Sequence, residues 1–317
     1  MTDLDVLVFG GGVAGLWALD ALRRSGWNAA LVEAGALGSG QTVASQGIIH
    51  GGGKYMLLEQ ADGAAVEAIR GMPARWLDAL AGRGAGPDLS AARILSPGCL
   101  LWVPRGSTLA NLKERGLMAI VVGTGMLAAK PVEVSDDQWP AAIRASALKV
   151  WSMPEPVLDP GSVVEALAAA HRGRVFAVAE RPRFEGEAVR FGSLVFRPRA
   201  VVFAAGEGNG ELSRAVGCGE ELMQRRPLAM TLLRGPALSP LYGHCVVGGK
   251  TRITVTSAQV GSETVWSIGG EVAEKCAAAP EDGAVRTEAA AELRRWIPGL
   301  DLSACRIATF RAVRAEA

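Results

Sequence analysis

Three glycines near the N-terminus, Gly10, Gly12 and Gly15, have the G-x-G-x-x-G spacing of a backbone turn that binds a pyrophosphate. Gly10 permits the tight turn, Gly12 presents no side chain to the phosphates, and Gly15 lets a helix pack closely on a sheet. Val13 and Ala14 begin that helix, whose first N–H groups and positive dipole end attract anions. The spacing therefore predicts a dinucleotide-binding turn.

The segments around this turn have the order strand, helix, strand. Residues 4–9 are mostly apolar, residues 14–25 place leucines at helical spacing, and residues 29–33 form a second apolar run. This order is typical of a βαβ unit with a parallel sheet. It is also the context in which a G-x-G-x-x-G motif becomes specific for a dinucleotide.

Glu33 ends the second strand candidate and is followed by Ala34. A carboxylate at this position accepts hydrogen bonds from the hydroxyls of the adenosine ribose, and it repels a 2′-phosphate. We therefore expect NAD or FAD as the cofactor, and not NADP.

A loop rich in glycine, serine and threonine, residues 35–53, follows the second strand and is too long for a simple connector. The spacing alone indicates small and hydroxyl residues near a nucleotide site. Lys54 and Tyr55 come directly after the loop and are candidates to bind an anionic substrate group, although a lone lysine is usually solvated.

The run from Ser45 to Gly52, Ser-Gln-Gly-Ile-Ile-His-Gly-Gly, resembles a loop of FAD-dependent oxidoreductases of the D-amino-acid oxidase superfamily. It is most similar to the branch of glycerol-3-phosphate and L-2-hydroxyglutarate dehydrogenases. Residues 156–160 resemble the entry to the returning helix of this superfamily. Residues 200–208 resemble its second nucleotide-proximal strand and turn, and residues 266–271 resemble a strand of its substrate domain.

The resemblance implies FAD as the cofactor, with this loop along the pyrophosphate and the flavin ring. Besides the glycine turn and Glu33, the implied contacts of the cofactor are Ala34, Ser39, Gln41, Thr42, Ser45, Gln46, Gly47, Ile48, Ala204, Ala205 and Gly206.

His50 is the best catalytic candidate, because the family pattern puts its loop beside the flavin and an imidazole titrates near neutral pH. It can act as a base, hydrogen-bond to the ring or attach covalently to it; a packing role is also open. Tyr242 and Arg311 are further candidates, and Arg311 stands near the position of a substrate-anchoring arginine in the family. Arg252 and Arg314 are candidates to clamp a carboxylate.

The expected reaction oxidises a small polar substrate at a C–H bond next to a hydroxyl or an amine, by hydride transfer to the flavin. The His-Gly-Gly form of the loop favours a hydroxyl. The electron acceptor, the mode of flavin attachment and the oligomeric state stay open. The alternatives are an NAD-dependent dehydrogenase and a non-catalytic nucleotide-binding subunit.

Composition limits the partners of the chain. Among 317 residues, 33 Lys and Arg balance 32 Asp and Glu, which gives no electrostatic reason to expect nucleic acid or an anionic membrane. Five cysteines without a C-x-x-C pair and only three histidines argue against disulfides and a metal site. The acidic N-terminus and the lack of a long apolar run predict a cytoplasmic protein without a transmembrane segment.

We expect an α/β fold in which a Rossmann-like FAD-binding domain carries an inserted, mostly antiparallel β-sheet substrate domain. The predicted FAD-binding domain comprises residues 1–85, 150–215 and 284–317, and the predicted substrate domain comprises residues 86–149 and 216–283. Helices are predicted over 58–82, 107–116, 163–170 and 284–296, and strands over 94–103, 174–179, 194–197, 200–204, 228–234, 244–247, 251–257, 263–268 and 305–311.

One departure from the family concerns the C-terminus. Family members continue after the strand equivalent to residues 305–311 with a glycine-containing segment that closes over the pyrimidine end of the flavin. This sequence stops at Ala317. We therefore expect either a truncated chain or a wall supplied from elsewhere, and weakened flavin binding by these residues alone.

Overall fold

The computed structural model describes residues 1–51, 71–106, 131–218, 223–248 and 250–316. Two β-sheets organise these residues, one of six strands and one of eight. The expected α/β fold, a Rossmann-like unit with an additional, mostly antiparallel sheet, is confirmed.

The six-stranded sheet contains the predicted βαβ unit. In spatial order its strands are β8 (Val175–Ala177), β2 (Ala29–Glu33), β1 (Thr2–Phe9), β11 (Leu194–Phe203), β10 (Ala188–Phe191) and β9 (Arg183–Glu185). The first four are parallel, and β10 and β9 turn back antiparallel. The chain runs from β1 to β2 on one side and returns to β11 on the other. The carboxyl ends of β1 and β11 therefore border a switch point, where open α/β sheets bind ligands.

The described residues include eight α-helices: α1 (Val13–Arg24), α2 (Gln41–Ala44), α3 (Met72–Leu80), α4 (Ala141–Arg144), α5 (Pro160–Ala169), α6 (Asn209–Ala215), α7 (Glu271–Lys275) and α8 (Asp282–Trp296). Helix α1 buries Leu16 and Leu19 in a core shared with Leu167 of α5. Asp159 caps α5 by accepting the Gly161 N–H at 3.0 Å, as the predicted helix start requires.

The eight-stranded sheet is antiparallel except at one pair. In spatial order its strands are β16 (Arg306–Glu316), β12 (Gln224–Gly235), β15 (Glu263–Gly269), β14 (Lys250–Val260), β13 (Gly243–Val247), β4 (Cys99–Pro104), β6 (Ala147–Met153) and β5 (Val132–Glu133). Only the neighbours β13 and β4 run parallel among the paired strands of this sheet in the described residues. The short strands β3 (Ile94–Ser96) and β7 (Val157–Leu158) form a separate antiparallel pair.

One face of the eight-stranded sheet is covered by α7 and α8. Val285, Ala289 and Leu293 line the inner side of α8 and share one buried cluster with Ile253 and Trp266 of the sheet. Burying each large apolar side chain contributes about 1.5–3 kcal/mol. This face is therefore the hydrophobic core of the second unit.

The described part of residues 284–317, which we expect in the FAD-binding domain, joins the eight-stranded sheet and not the six-stranded one. Helix α8 packs on the eight-stranded sheet, and β16 pairs with β12 along its whole length. Residues 150–153 also belong to the eight-stranded sheet, as part of β6. Local periodicity identifies a helix or a strand but not the strand with which it pairs, so the sequence does not show that these segments join this sheet.

Two predicted helices are only partly described. The helix over 107–116 lies outside the described residues, and so does the part of 58–82 that precedes residue 71. The remainder of the second prediction corresponds to α3, which begins after Gly71 and carries a proline in its first turn. The two strands predicted over 194–197 and 200–204 form the single strand β11.

Two expectations from composition can be compared with the structure. All five cysteines are free thiols, and burial raises the pKa of the Cys245 thiol, which makes it a poor nucleophile. In the part of the chain that the structure describes, no helix has the length and apolar character needed to cross a bilayer.

Gly243 permits the close approach of β13 to β4. A Cβ atom built there would lie 2.6 Å from the carbonyl oxygen of Leu100. We expect Gly243→Ala to lower the free energy of unfolding by about 1–3 kcal/mol, the cost of overpacking, as measured by urea denaturation. Gly283→Ala on α8 is the control, because nothing lies within 4 Å of its Cβ position. Equal effects of the two substitutions would contradict the close approach.

Candidate active site

The glycine turn at the end of β1 is built so that only glycine fits at two positions. Gly10 has a φ of +108°, and a Cβ atom there would lie 2.5 Å from the carbonyl oxygen of Ala204. A Cβ atom at Gly15 would collide with the carbonyl oxygen of Gly10. These two contacts press α1 and the turn after β11 against the end of β1, as the spacing predicted.

The start of α1 faces this turn with its backbone N–H groups. Gly12 is the N-cap, and a Cβ atom there would meet only the Thr42 hydroxyl, at 3.0 Å. The Val13 N–H donates to that hydroxyl at 3.0 Å. The N–H groups of Ala14 and Gly15 lie in the same first turn, where helical N–H groups have no intrahelical acceptor.

The Glu33 carboxylate stands at the end of β2 and joins two turns. One oxygen accepts the Gly11 N–H at 2.5 Å, and the other accepts the Gly35 N–H at 2.7 Å. Ala34, next to it, is exposed. The carboxylate is therefore fixed beside the glycine turn, at the position that the ribose argument requires.

The loop after β2 is attached to both sheets. Gly38 donates to the Gly11 carbonyl at 2.9 Å, which holds the loop on the glycine turn. Gln41 accepts the Ala315 N–H at 3.0 Å, in strand β16. Ser39 and Ser45 are exposed on the same loop.

Gln46, an expected cofactor contact, also joins the loop to the second sheet. Its amide nitrogen donates to the carbonyls of Thr254 and Ser267, both at 3.0 Å, in strands β14 and β15. A Cβ atom at Gly269 would lie 2.6 Å from its amide oxygen. The side chain therefore connects the loop to the eight-stranded sheet.

The end of the loop pairs with the segment that precedes α5. The Gly47 carbonyl accepts the Leu158 N–H at 2.9 Å, and Ile48 forms an isolated antiparallel bridge with Val157. Gly47 has a φ of +67°, and a Cβ atom there would collide with the Leu158 carbonyl. This pairing places His50, two residues beyond Ile48, next to residue 155.

His50 contacts a buried carboxylate. Its Nδ1 lies 3.1 Å from Oε2 of Glu155, whose other oxygen accepts the Gly51 N–H at 2.7 Å. Glu155 is only 4% exposed. The His50 ring lies 5.6 Å, centroid to centroid, from the ring of His244, whose Nδ1 is 2.8 Å from the Thr254 hydroxyl. Glu155 and His244 were not predicted as site residues.

These three side chains have the types that also bind metals. One ligand atom each of His50, Glu155 and His244 lies within 4.8 Å of the others. The expectation of no metal stays a prediction. The only sequence signal for Glu155 is its place between Pro154 and Pro156, which does not by itself indicate chemistry.

The turn after β11 completes the edge of the glycine turn. Ala204 donates to the Phe9 carbonyl at 2.8 Å, and Ala205 donates to the Asn209 side chain at 2.7 Å. Gly206 has a φ of +55°. The three residues 204–206 therefore lie at the carboxyl end of β11, beside β1, as predicted.

Other predicted residues lie elsewhere or outside the described part. The Arg311 guanidinium donates to the carbonyls of Ala277 at 3.0 Å and Ala279 at 2.7 Å, so in this structure it holds the segment after α7. Arg314 pairs with Glu274 and Glu316. Burial raises the pKa of Tyr242, which precedes β13. Lys54 and Tyr55 lie outside the described residues.

The described residues fit a bound dinucleotide. The turn has the backbone geometry of a pyrophosphate site, the start of α1 is uncovered by a side chain at Gly12, and a fixed carboxylate stands at the end of β2. The loop that carries His50 runs from this turn to the eight-stranded sheet. The arrangement suits a cofactor that extends from the glycine turn toward the second sheet.

Solved structures share this fold. Glycine oxidase from Geobacillus kaustophilus superposes with a TM-score of 0.71 and is 15% identical, covering 100% of this chain and 84% of that one. L-α-glycerophosphate oxidase from Mycoplasma pneumoniae, with FAD bound, has a TM-score of 0.69 and 14% identity, covering 99% of this chain and 84% of that one. At these identities the likeness concerns the fold alone.

Sequence comparison goes further. The family of FAD-dependent oxidoreductases named DAO matches residues 5–315. The probable FAD-dependent oxidoreductase PA4991 of Pseudomonas aeruginosa is 38% identical over 322 residues, or 98% of this chain and 80% of that protein. The crystal structure of PA4991 has a TM-score of 0.80 and 34% identity, and it covers 99% of this chain and 79% of that one. This chain therefore belongs to the DAO family of FAD-dependent oxidoreductases, and its cofactor is FAD.

Proposed function

We propose that this FAD-dependent oxidoreductase oxidises a small polar substrate at a carbon that bears a hydroxyl, with His50 as the base. Membership in a family of FAD-dependent oxidoreductases argues against both alternatives, an NAD-dependent dehydrogenase and a non-catalytic subunit. The observation that carries the proposal is the contact between His50 Nδ1 and the buried Glu155 carboxylate. Bound FAD supplies the acceptor for the hydride that leaves the substrate carbon.

The residues proposed to hold FAD lie along the path described above. The pyrophosphate lies against Gly10, Gly12 and the N–H groups at the start of α1, and the adenosine ribose binds Glu33. Contacts along the loop and the neighbouring turn come from a larger set: Val13, Ala14, Gly15, Ala34, Ser39, Gln41, Thr42, Ser45, Gly47, Ile48, Ala204, Ala205 and Gly206. Gln46 helps indirectly, because its amide holds the loop on the second sheet.

Glu155 is proposed to orient the imidazole of His50. Its second oxygen is held by the Gly51 N–H, so the carboxylate cannot turn away from the ring. An ionised carboxylate can only accept hydrogen bonds, so the nitrogen that faces it, Nδ1, carries the proton of neutral His50. Nε2 is then the nitrogen that accepts the substrate proton, in the manner of a carboxylate-supported histidine base.

His244 and Tyr242 are proposed to border the substrate. His244 is buried, lies against His50 and contacts the Thr254 hydroxyl on the same sheet. Tyr242 directly precedes β13, two residues before His244. Both offer hydrogen-bonding groups to a polar substrate.

The preference for a hydroxyl over an amine rests on the His50-Gly51-Gly52 form of the loop and on the glycerol-3-phosphate and L-2-hydroxyglutarate dehydrogenase branch that it resembles. A hydroxyl must lose its proton as the hydride leaves, so a base at this position is useful. The neighbours by fold include oxidases of both substrate classes, and they do not decide between them.

The substrate class is tested by anaerobic reduction of the FAD-loaded protein. Matched pairs of 2-hydroxy acids and 2-amino acids, together with polyol phosphates, are mixed with the protein while flavin absorbance is followed. We expect bleaching by a hydroxyl compound. Bleaching by the amino acids alone would overturn the hydroxyl assignment. Oxygen and an artificial acceptor then restore the colour at different rates, which identifies the preferred class of acceptor.

The role of His50 is tested with conservative substitutions. We expect His50→Gln to lower kcat/KM by roughly 10²–10⁴-fold, the contribution of a general base. Glu155→Gln keeps an acceptor for the Gly51 N–H and should cause a smaller loss. The measurement is a pH profile of kcat/KM on variants that retain FAD, with metal content assayed in parallel.

His171→Gln is the matched control for this experiment. His171 also lies beside a buried carboxylate, with 3.0 Å between its Nε2 and Asp20, but in the region of the six-stranded sheet away from His50. Its kcat/KM should equal that of the natural protein. Equal rates of His50→Gln and His171→Gln would refute the base. Colour that stays with acid-precipitated protein but is lost in His50→Gln would assign a covalent link instead.

The position of the ribose is tested at Glu33. We expect Glu33→Ala to weaken FAD binding by about 1–3 kcal/mol, the scale for hydrogen bonds to a charged group, as measured by titration of the apoprotein with FAD. Glu187→Ala removes an exposed carboxylate from the β9–β10 turn and serves as the control. An unchanged Kd for Glu33→Ala would remove the carboxylate from the proposed cofactor contacts.

A further inference from the structure

A cavity of about 350 Å³ lies between the eight-stranded sheet and helices α7 and α8. Its charged lining residues are Arg105, Arg252, Lys275, Glu292 and Arg295. The volume is within the usual range of small-molecule sites, about 300–1,000 Å³.

This cavity is on the other face of the sheet from His50. Val247 of β13 lines the cavity, and Cys245 belongs to the core beneath α8. Successive residues of a strand point to opposite faces. His244 alternates with both of them, so its side chain is on the opposite face, where it contacts Thr254 and the His50 ring. The cavity is therefore separate from the site proposed for catalysis.

A β-bulge turns Arg252 toward the cavity. Cys245 pairs with Ile253 and Val246 pairs with Thr251, so Arg252 is an extra residue on β14. In a regular strand Arg252 would share a face with Thr254, on the His50 side. A bulge re-aims the side chain of the inserted residue, and bulges occur beside functional sites. Here the bulge adds a guanidinium to a cavity that the regular strand would leave without it.

The cations around the cavity outnumber the carboxylates. Arg252 pairs with Glu271, and Lys275 lies 3.7 Å from the buried Glu292 carboxylate, whose other oxygen accepts the Trp296 indole N–H at 2.5 Å. Arg105 and Arg295 have no carboxylate within 4.0 Å among the described residues. Two positive charges thus lack a counter-charge within the described chain.

Two of the cationic side chains around the cavity are held in place, and a third has a buried donor for which the described residues offer no partner. Arg105 donates from Nε to a backbone carbonyl, that of Ala147, at 2.8 Å, and Arg295 lies 4.7 Å above the ring of Trp296. Nε of Arg252 is buried and has no hydrogen-bond partner among the described residues. A buried donor without an acceptor is unfavourable, so Arg252 places a charged group with unmet hydrogen-bonding capacity beside the cavity.

We propose that this cavity binds a small organic polyanion, whose phosphate or carboxylate oxygens lie between Arg105, Arg252 and Arg295. Guanidinium groups match both oxyanions in geometry and charge. The excess of two positive charges favours a ligand with at least two negative charges. The site is independent of the proposed oxidation, and its ligand is not the cofactor.

The test uses the FAD-loaded protein, so that the pyrophosphate-binding turn is already filled. Inorganic pyrophosphate and citrate are titrated separately by isothermal calorimetry at constant ionic strength. We expect at least one of them to bind with one site per chain. Tighter binding of pyrophosphate assigns a phosphorylated ligand, and tighter binding of citrate assigns a polycarboxylate.

Arg295→Gln identifies the site. Arg295 is exposed, so the substitution removes a charge without opening the core, and flavin absorbance checks that the variant retains FAD. We expect the Kd of the bound anion to rise roughly 10-fold or more, the effect of losing one charge-assisted hydrogen bond. Arg286→Gln removes an exposed charge from the same helix and should leave the Kd unchanged. No binding of either anion, or equal Kd values for the two variants, would overturn the proposal.

Discussion

Two backbone hydrogen bonds, both of 2.9 Å, join residues 47–49 of the loop after β2 to residues 156–158 ahead of α5. Backbone polar groups that leave water must find partners, and this loop finds two of them on the extended segment ahead of α5. The residues that flank this pairing therefore meet as well. His50 follows one side of it, Glu155 precedes the other, and the positive φ of Gly47 allows the segments to come this close.

The burial of Glu155 makes the same contact necessary for stability. A buried carboxylate without partners costs several kcal/mol, and it would take up a proton or unfold the segment that carries it. Its oxygens accept the Gly51 N–H and contact His50, so both oxygens have partners in the folded chain. The carboxylate beside the imidazole is thus held in place by the requirements of folding.

Local signals made it possible to predict the glycine turn, α1 and Glu33. These signals are the glycine spacing within six residues and the apolar strand patterns before and after the helix. The family could be predicted from the loop that carries His50. The partner of β16 could not, since pairing across the chain leaves no mark in the periodicity of residues 306–316. Gln46 lies in the loop predicted to contact the cofactor, and the sequence does not show that its amide donates to two strand carbonyls. Glu155 could not be predicted as a site residue, because its burial and its contact with His50 leave no spacing pattern in the sequence.

The two faces of the eight-stranded sheet carry different chemistry because of one irregularity. Alternation along β13 and β14 sends His244 and Thr254 toward His50, and it sends Cys245 and Ile253 into the core. Without the bulge, Arg252 would add a positive charge on the face of the histidines. With the bulge, that charge lies in the cavity beneath α8. A single extra residue therefore concentrates positive charge on the face of the sheet opposite the histidines.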